Sequence, residues 1–562
     1  MKYNNLINAV KNNQKGLFTV LLWVTALLGL TGMVLKGLRI NIFADDAYYY
    51  MQTAINRVNL GFFTFDTVNQ TNGFHPLWQW IQAIVLAILP EVCRTPSVAY
   101  VIIIVLLMTI CFSILAFSVY LFRKFYSEDN PLAWAFISIA IILFSSKYVF
   151  ILIDGMESTL ALIFGVFFIY SLYNEKEIKS GIFAALCVAS RLDSLLVFIF
   201  PVLGIYYLSK IIRGQRNIKS CAILALKLAV PTIIFLGGYL TYNYIQFGHI
   251  KPISGALKNS MPHVNYQPYL LACNRLYLTF FLAFLGFGIW LFKARKQNNH
   301  RINYLIPGLF LSFLMIMTNF LFFQKWSKHL PPWYYIVPTF VSMVIVFLAI
   351  YSVLQQTKRK YCLAALVIGT LGLNILFAGR MYTSWSNSDK NPCVLPEFYS
   401  VCGENSIMGS TDCGRMGFLG RKCVNLDGLI NNYKYQHYLN KKNGFAWYLI
   451  DQNIDFLVTG IRSKKELCSR KTVYEPMYKA KVSPMVFHNR EYKNYKFYTY
   501  SYLYNKYSDS ITLDSSMEVY RGPAKKDGKG FCREVVFDLR NWRKKFLANH
   551  RREGTPEAYG KK

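Results

Sequence analysis

Acidic side chains are scarce in this sequence: 29 Asp and Glu stand against 62 Lys and Arg, a formal net charge of +33. Such an excess raises nucleic acid as a partner. No basic stripe with a nucleic-acid motif is present, however, and the cations lie in short clusters between apolar runs, so nucleic acid is not expected. The twelve cysteines include no C-x-x-C pair, which removes the usual zinc spacings. No solenoid-type repeat recurs, so stacked-repeat architectures are excluded. The first apolar segment, 17–35, lacks a small-x-small cleavage site and reads as a retained span rather than a cleaved leader.

What the chain does have is apolar length. Of its 562 residues 54% are hydrophobic, and they come in long runs rather than at helix or strand period, the mark of several membrane spans. Runs near 17–38, 97–122, 132–153, 158–173, 180–193, 194–209, 221–240, 268–292, 303–323, 333–353 and 361–380 give about eleven spans, an all-α polytopic membrane module covering 1–380. The run 77–90 is too short to cross and reads as a re-entrant or surface-lying helix. With that choice the Lys and Arg clusters fall inside, which puts the N-terminus in the cytoplasm. Residues 381–562 then form an outer, mixed α/β domain, with β-prone segments at 423–426, 456–459 and 497–504. Six cysteines (Cys393, Cys402, Cys413, Cys423, Cys468 and Cys532) lie in it, either as disulfides or as buried thiols.

The chemistry concentrates in the first outer loop, 39–96. Its stretch 45–78 reads DDAYYYMQTAINRVNLGFFTFDTVNQTNGFHPLW, longer and more polar than a connector needs. This topology puts every other polar cluster on the same face: Asp154 to Glu157, Arg191 with Asp193, Asn243 to Lys258, and Lys325 to Tyr335. In the helix that opens the loop, Asp46, Tyr49, Tyr50 and Thr53 share a face by spacing, while Asp45 points about 100° away from Asp46. Asp45 serves either as a helix cap or as a catalytic group. His75, before a proline, is either a turn residue or a substrate contact. Asp154 and Glu157 are either a helix N-terminal cap or part of a site. Arg191 either pairs with Asp193 or binds a lipid headgroup phosphate.

A carboxylate just above a membrane, with a cation at headgroup depth, suits group transfer from a lipid phosphate carrier. The carboxylate takes the proton of an acceptor hydroxyl, and fixed cations stabilise the departing phosphate. One essential carboxylate suffices, because phosphate is already a good leaving group.

The opening stretch, followed in order by DGMES (154–158), ASRLD (189–193), FGHIKPISGALK (247–258), PPWYY (331–335) and GSTDCGRMGFLGRKCVNLDGLINN (409–432), resembles the bacterial GT-C superfamily of glycosyltransferases. That is the broad group with protein O-mannosyltransferases, aminoarabinose transferases and arabinofuranosyltransferases. The resemblance implies an inverting enzyme of the inner membrane. It would use a polyprenyl-phosphate sugar donor, a glycan, lipid or protein acceptor, and an active site facing the periplasm. It implies Asp45 or Asp46 as the base, Asp45 by position, with substrate contacts from Tyr49, Asn72, His75, Asp154, Glu157, Arg191, Asp193 and Lys258. No second Asp-x-Asp motif accompanies it, so the metal-dependent scheme of the oligosaccharyltransferase branch is not expected here. One divalent cation on Asp45, Asp46 and Glu157 stays an option. The competing classes are a transporter or flippase of a lipid-linked saccharide, which the lack of internal repeats argues against, and an inactive glycan-binding scaffold.

Overall fold

The computed structural model describes residues 43–125, 131–212, 215–259, 356–386, 405–410, 413–418, 422–439, 444–463, 496–498, 510–512, 518–521, 525–527 and 530–549, with isolated positions of 16–27 and 332–351. It is mostly helical. The chain runs through α1 (Asp45–Leu60), α2 (Pro76–Ile88), α3 (Pro96–Phe125), α4 (Pro131–Leu143), α5 (Ser146–Leu152), α6 (Ser158–Tyr173), α7 (Glu177–Ser190), α8 (Phe200–Ile212), α9 (Ile218–Phe247), α10 (Ile253–Asn259) and α11 (Gln356–Ser386). Among the described residues three helices are long and apolar enough to cross a bilayer: Pro96–Lys124, Ile218–Phe247 and Lys358–Leu376. Shorter apolar helices, including Pro76–Ile88 and Ser158–Tyr173, lie beside them.

Several apolar runs take a different form from the single spans that sequence suggests. The run at 132–153 is two helices, α4 and α5, broken at Phe144 and Ser145. The run at 194–209 begins as a π-helical turn, Leu195–Ile199, before α8. A π turn widens the coil locally, and here it follows directly on Arg191 and Asp193. The apolar run 77–90 is a 13-residue helix, α2, started by Pro76 at its first position. The runs near 268–292 and 303–323 lie outside the described residues.

α6 gives the helical part a polarity. At its start stand Glu157 and Arg191; past its end, Glu175 pairs with Lys210 and Arg216. Sixteen residues at about 1.5 Å each separate the two charge clusters by about 24 Å.

The C-terminal part adds a sheet. Its strands are β1 (Met408–Ser410), β2 (Cys423–Asn425), β3 (Phe456–Ser463), β4 (Lys496–Tyr498), β5 (Ser510–Thr512), β6 (Glu518–Arg521), β7 (Lys525–Asp527) and β8 (Gly530–Asp538). The main sheet runs β2-β1-β3-β8-β6 with β7 on β8, and β4 and β5 pair separately. β1 is parallel to both β2 and β3, whereas β8 is antiparallel to β3. The short helix α12 (Gly414–Phe418) connects β1 to β2. α13 (Tyr433–Leu439), α14 (Gly444–Asp451) and α15 (Arg540–Asn549) cover the sheet with their own core of Tyr435, Tyr438, Tyr448, Leu457 and Trp542. Cys413 and Cys423 are buried free thiols. Cys393, Cys402 and Cys468 lie outside the described residues.

Candidate functional site

α1 begins with two acidic residues in its first turn, which favours the positive end of its dipole, and stops at Gly61 in the left-handed conformation. The loop that follows folds on its own polar side chains. Asp66 Oδ1 accepts from the backbone N–H of Val68 and Asn69, and Asn56 Nδ2 donates to the carbonyls of Thr64 and Phe65. Burial pushes the Asp66 carboxyl above the usual range, against the pull of these hydrogen bonds.

This folded loop docks on the carboxyl ends of the parallel strands, the side where open parallel sheets carry their sites. Asp45 makes the central contact. Gly414 N–H donates to its Oδ2 at 2.8 Å and Arg415 N–H to its Oδ1 at 3.0 Å, so Asp45 caps α12 rather than its own helix. A Cβ on Gly414 would collide with the Asp45 carbonyl oxygen, which is why glycine stands there. Tyr49 repeats the pattern. Its hydroxyl accepts from Cys413 N–H at 3.0 Å and from Asn425 Nδ2 at 2.8 Å, and burial pushes its ionisation well up. Gly73 packs directly on the Leu429 carbonyl, and Asn432 Nδ2 donates to Asn69 Oδ1 at 2.9 Å.

The helical side of the site is a buried charge network. Arg191, 2% exposed, holds Asp193 with two bonds, Nε to Oδ1 at 2.8 Å and Nη2 to Oδ2 at 3.1 Å. Its Nη1 donates to Glu157 Oε1 at 3.1 Å and to the Trp333 carbonyl at 3.1 Å, and the guanidinium lies 4.4 Å from the Tyr334 ring centre. These partners, Asp193 first and then Glu157, outweigh burial and hold its pKa above the ordinary arginine value. His75 borders the same carboxylate: Nε2 is 3.6 Å from Glu157 Oε1, while Nδ1 accepts from Leu192 N–H at 3.2 Å. Nδ1 thus acts as an acceptor, which leaves the proton on Nε2, facing Glu157.

Asp154 sits behind this cluster. Its Oδ1 accepts from Met156 N–H at 3.0 Å, and its carbonyl accepts from Ala44 N–H at 3.0 Å. Burial pushes its carboxyl well above the usual range, with Glu157 and Asp46 adding to the shift against the Met156 N–H and Arg191. Asp46 itself is partly exposed, near enough to both Asp154 and Tyr49 to raise them. Asn72 is buried as a brace, with Nδ2 donating to Asn243 Oδ1 at 3.2 Å and Oδ1 accepting from Ile253 N–H at 3.0 Å.

The sequence clusters therefore meet: 45–78, 154–157, 191–193, 243–253, 333–334 and 413–432 share contacts at one end of the helices. Within them Asp45, Tyr49 and Asn72 are tied into the packing, and Arg191 is paired with Asp193 and Glu157. Lys258 lies in α10 rather than in an open loop, and its side chain lies outside the described residues. Among the described residues no group of three or more His, Cys, Asp or Glu is arranged to hold a metal ion. Of the three residues considered for a cation, Asp45 is occupied by backbone N–H groups and Glu157 by Arg191. Sequence reasoning places Tyr50 on the Asp46 face but gives it no role, whereas its hydroxyl accepts from His75 N–H at 3.1 Å; it passes over Asn425, which stands in a segment already marked out by polar content.

No family model matches the chain, and no curated protein matches it. Among solved structures, the crystal structure of ArnT from Cupriavidus metallidurans bound to undecaprenyl phosphate is similar at 11% identity with a TM-score of 0.41, covering 78% of this chain and 93% of that one. A likeness this distant decides neither fold family nor chemistry.

Proposed function

We propose that this chain is a membrane glycosyltransferase that moves a sugar from a polyprenyl-phosphate donor to an acceptor hydroxyl at the outer face of the membrane, with inversion. The observation that carries the reading is the position of Asp46. This partly exposed carboxylate stands at the start of α1, beside a buried charge network, where the ends of apolar helices meet a docked sheet. Asp46 takes the proton of the acceptor hydroxyl while that oxygen attacks the anomeric carbon. The bond from that carbon to the phosphate oxygen breaks on the opposite side, and polyprenyl phosphate leaves with the electron pair. Asp45 positions α1 through its hold on α12. Arg191 acts as a positioning residue for Glu157, Asp193 and the 333–334 turn. No step requires a metal.

The test is transfer from radiolabelled polyprenyl-phosphate sugars by the full chain in micelles. Asp46→Asn abolishes transfer with thermal stability retained. Asp45→Asn keeps one of the two capping bonds, since an amide has a single acceptor oxygen, and lowers stability by about 1 kcal/mol with partial activity. Full activity of Asp46→Asn sinks the assignment of the base. Movement of intact donor across vesicles without transfer favours a flippase instead.

A further inference from the structure

Three sulfur atoms lie together where α12 meets β2. Cys413 directly precedes α12, Met416 is the third residue of that helix, and Cys423 opens β2. The three-residue spacing of Cys413 and Met416 puts both on one side of a helical turn, which Gly417 N–H closes by donating to the Cys413 carbonyl at 2.9 Å. The Cys423 thiol donates to Met416 Sδ at 3.7 Å, and the Cys413 thiol hydrogen-bonds in turn with Cys423. Cys413 and Cys423 are 0% and 1% exposed, whereas Met416 is partly exposed, so the thioether is the member of the group that reaches the surface.

The surroundings of Cys413 suit a thiolate. Its Sγ receives Asn425 Nδ2 and the Tyr49 hydroxyl, each at 3.8 Å. Tyr49 already accepts from Cys413 N–H and from Asn425, so its own proton is the one left for the sulfur. Donors turned on a metal-binding sulfur are the usual outer support of such a ligand. The spacing suits a metal as well. Two ligands of a three-coordinate site with metal–sulfur bonds of about 2.3 Å stand about 4 Å apart, so the 3.7 Å between Cys423 and Met416 needs little movement. An ion between the sulfurs takes the space of the thiol protons and requires no separate cavity.

We infer that Cys413, Met416 and Cys423 form a three-coordinate site for Cu(I), independent of the transferase reading. Two thiolates and a thioether are a soft ligand set, which selects Cu(I); structural zinc takes four ligands, and calcium and magnesium take oxygen. Cu(I) replaces the two thiol protons, which pass to water, and its oxidation state does not change. Burial, then the contact with Cys423, then the carboxylates of Asp427 and Asp45 push the Cys413 thiol up, so the apparent affinity rises with pH. The bound ion ties β2 to α12, the helix whose Gly414 and Arg415 N–H groups hold Asp45.

The test uses the full chain in micelles, reduced, stripped of metal and titrated anaerobically with Cu(I) buffered by bicinchoninate. Met416→Leu conserves volume and removes the thioether, and Cys413→Ala removes one thiolate. The expected result is one tightly held Cu(I) per chain in the wild type, lost in Cys413→Ala and bound about tenfold more weakly in Met416→Leu. Affinity in the wild type rises with pH, and Zn(II) at equal concentration does not displace the copper. Loading slows hydrogen exchange over 413–425 in the wild type and leaves it unchanged in Cys413→Ala. Should Cys413→Ala fail to fold, Met416→Leu with the thermal unfolding of the metal-free wild type decides the matter. Affinities of both variants within about twofold of wild type overturn the inference and assign the ion to other cysteines. Displacement by Zn(II) overturns it too, as does a Cys413–Cys423 disulfide, seen as linked peptides by mass spectrometry, that persists in the folded chain under mild reductant.

Discussion

Arg191→Met tests the buried charge network most directly. The substitution keeps the aliphatic stem and removes a guanidinium that donates to Glu157, Asp193, the Ser158 hydroxyl and the Trp333 carbonyl. Its two anions are not equivalent. The Glu157 side chain is 2% exposed and the Asp193 side chain 14%, so Asp193 regains some hydration and Glu157 none. Breaking a buried pair by removing one partner typically costs about 3–5 kcal/mol, most of it the stranded charge. That charge is Glu157. Glu157→Gln in the wild type removes an anion from Arg191 and is expected to destabilise. In the Arg191→Met background the same change neutralises the stranded carboxylate and is expected to stabilise by about 2 kcal/mol. The sign reversal gives a coupling of the size seen for contacting charges, about 0.5–3 kcal/mol or slightly above. Reversible unfolding in mixed micelles of the four proteins measures it. If Glu157→Gln has the same effect in both backgrounds, the pair is not coupled and the network is not what holds α6, α7 and the 333–334 turn together.

Asp154→Asn keeps the acceptor for Met156 N–H and removes a carboxyl that burial holds well above its unfolded value of about 3.9. Below that value both states are protonated and no penalty exists; the penalty grows as pH rises toward the folded value. Wild type is therefore expected to lose stability relative to Asp154→Asn between about pH 4 and neutrality, and a difference independent of pH over that range refutes the account. Gly414→Ala and Gly73→Ala each drive a methyl group into a backbone carbonyl, of Asp45 and of Leu429 respectively. Both are expected to loosen the first loop from the sheet, seen as faster hydrogen exchange in 45–75 and 413–432 with the exchange of α3 unchanged. Uniform exchange across all segments would show global unfolding instead.

The helices were legible because apolar run length is a local property; 158–173 matches α6 residue for residue. The β-prone segments at 423–426 and 456–459 likewise hold β2 and β3, since β-branched and apolar clusters carry that signal within a few residues. The interruptions were not legible. Phe144 and Ser145 contain no proline or glycine, and the π turn at 195–199 lies in an unbroken apolar run, so neither break leaves a mark in composition. For the site, the pairing of Arg191 with Asp193 was readable from their two-residue separation, whereas Glu157 joins it from 34 positions away.

The same distinction divides the two neighbouring carboxylates. Helical geometry sets Asp45 and Asp46 about 100° apart, which tells only that they face different surroundings. Which surroundings depends on α12, whose first N–H groups reach Asp45 across 369 and 370 positions of chain. The first N–H groups of any helix lack intrahelical acceptors, and those of α12 are no exception. Asp45 supplies them, and in doing so fixes the start of α1 against the sheet. Asp46, like Asp45, is partly exposed, and it lies close enough to Asp154 and Tyr49 to act on both. The carboxylate that position alone favours is thus the one whose two oxygens are engaged in docking, so only the paired Asp45 and Asp46 variants proposed above assign the base.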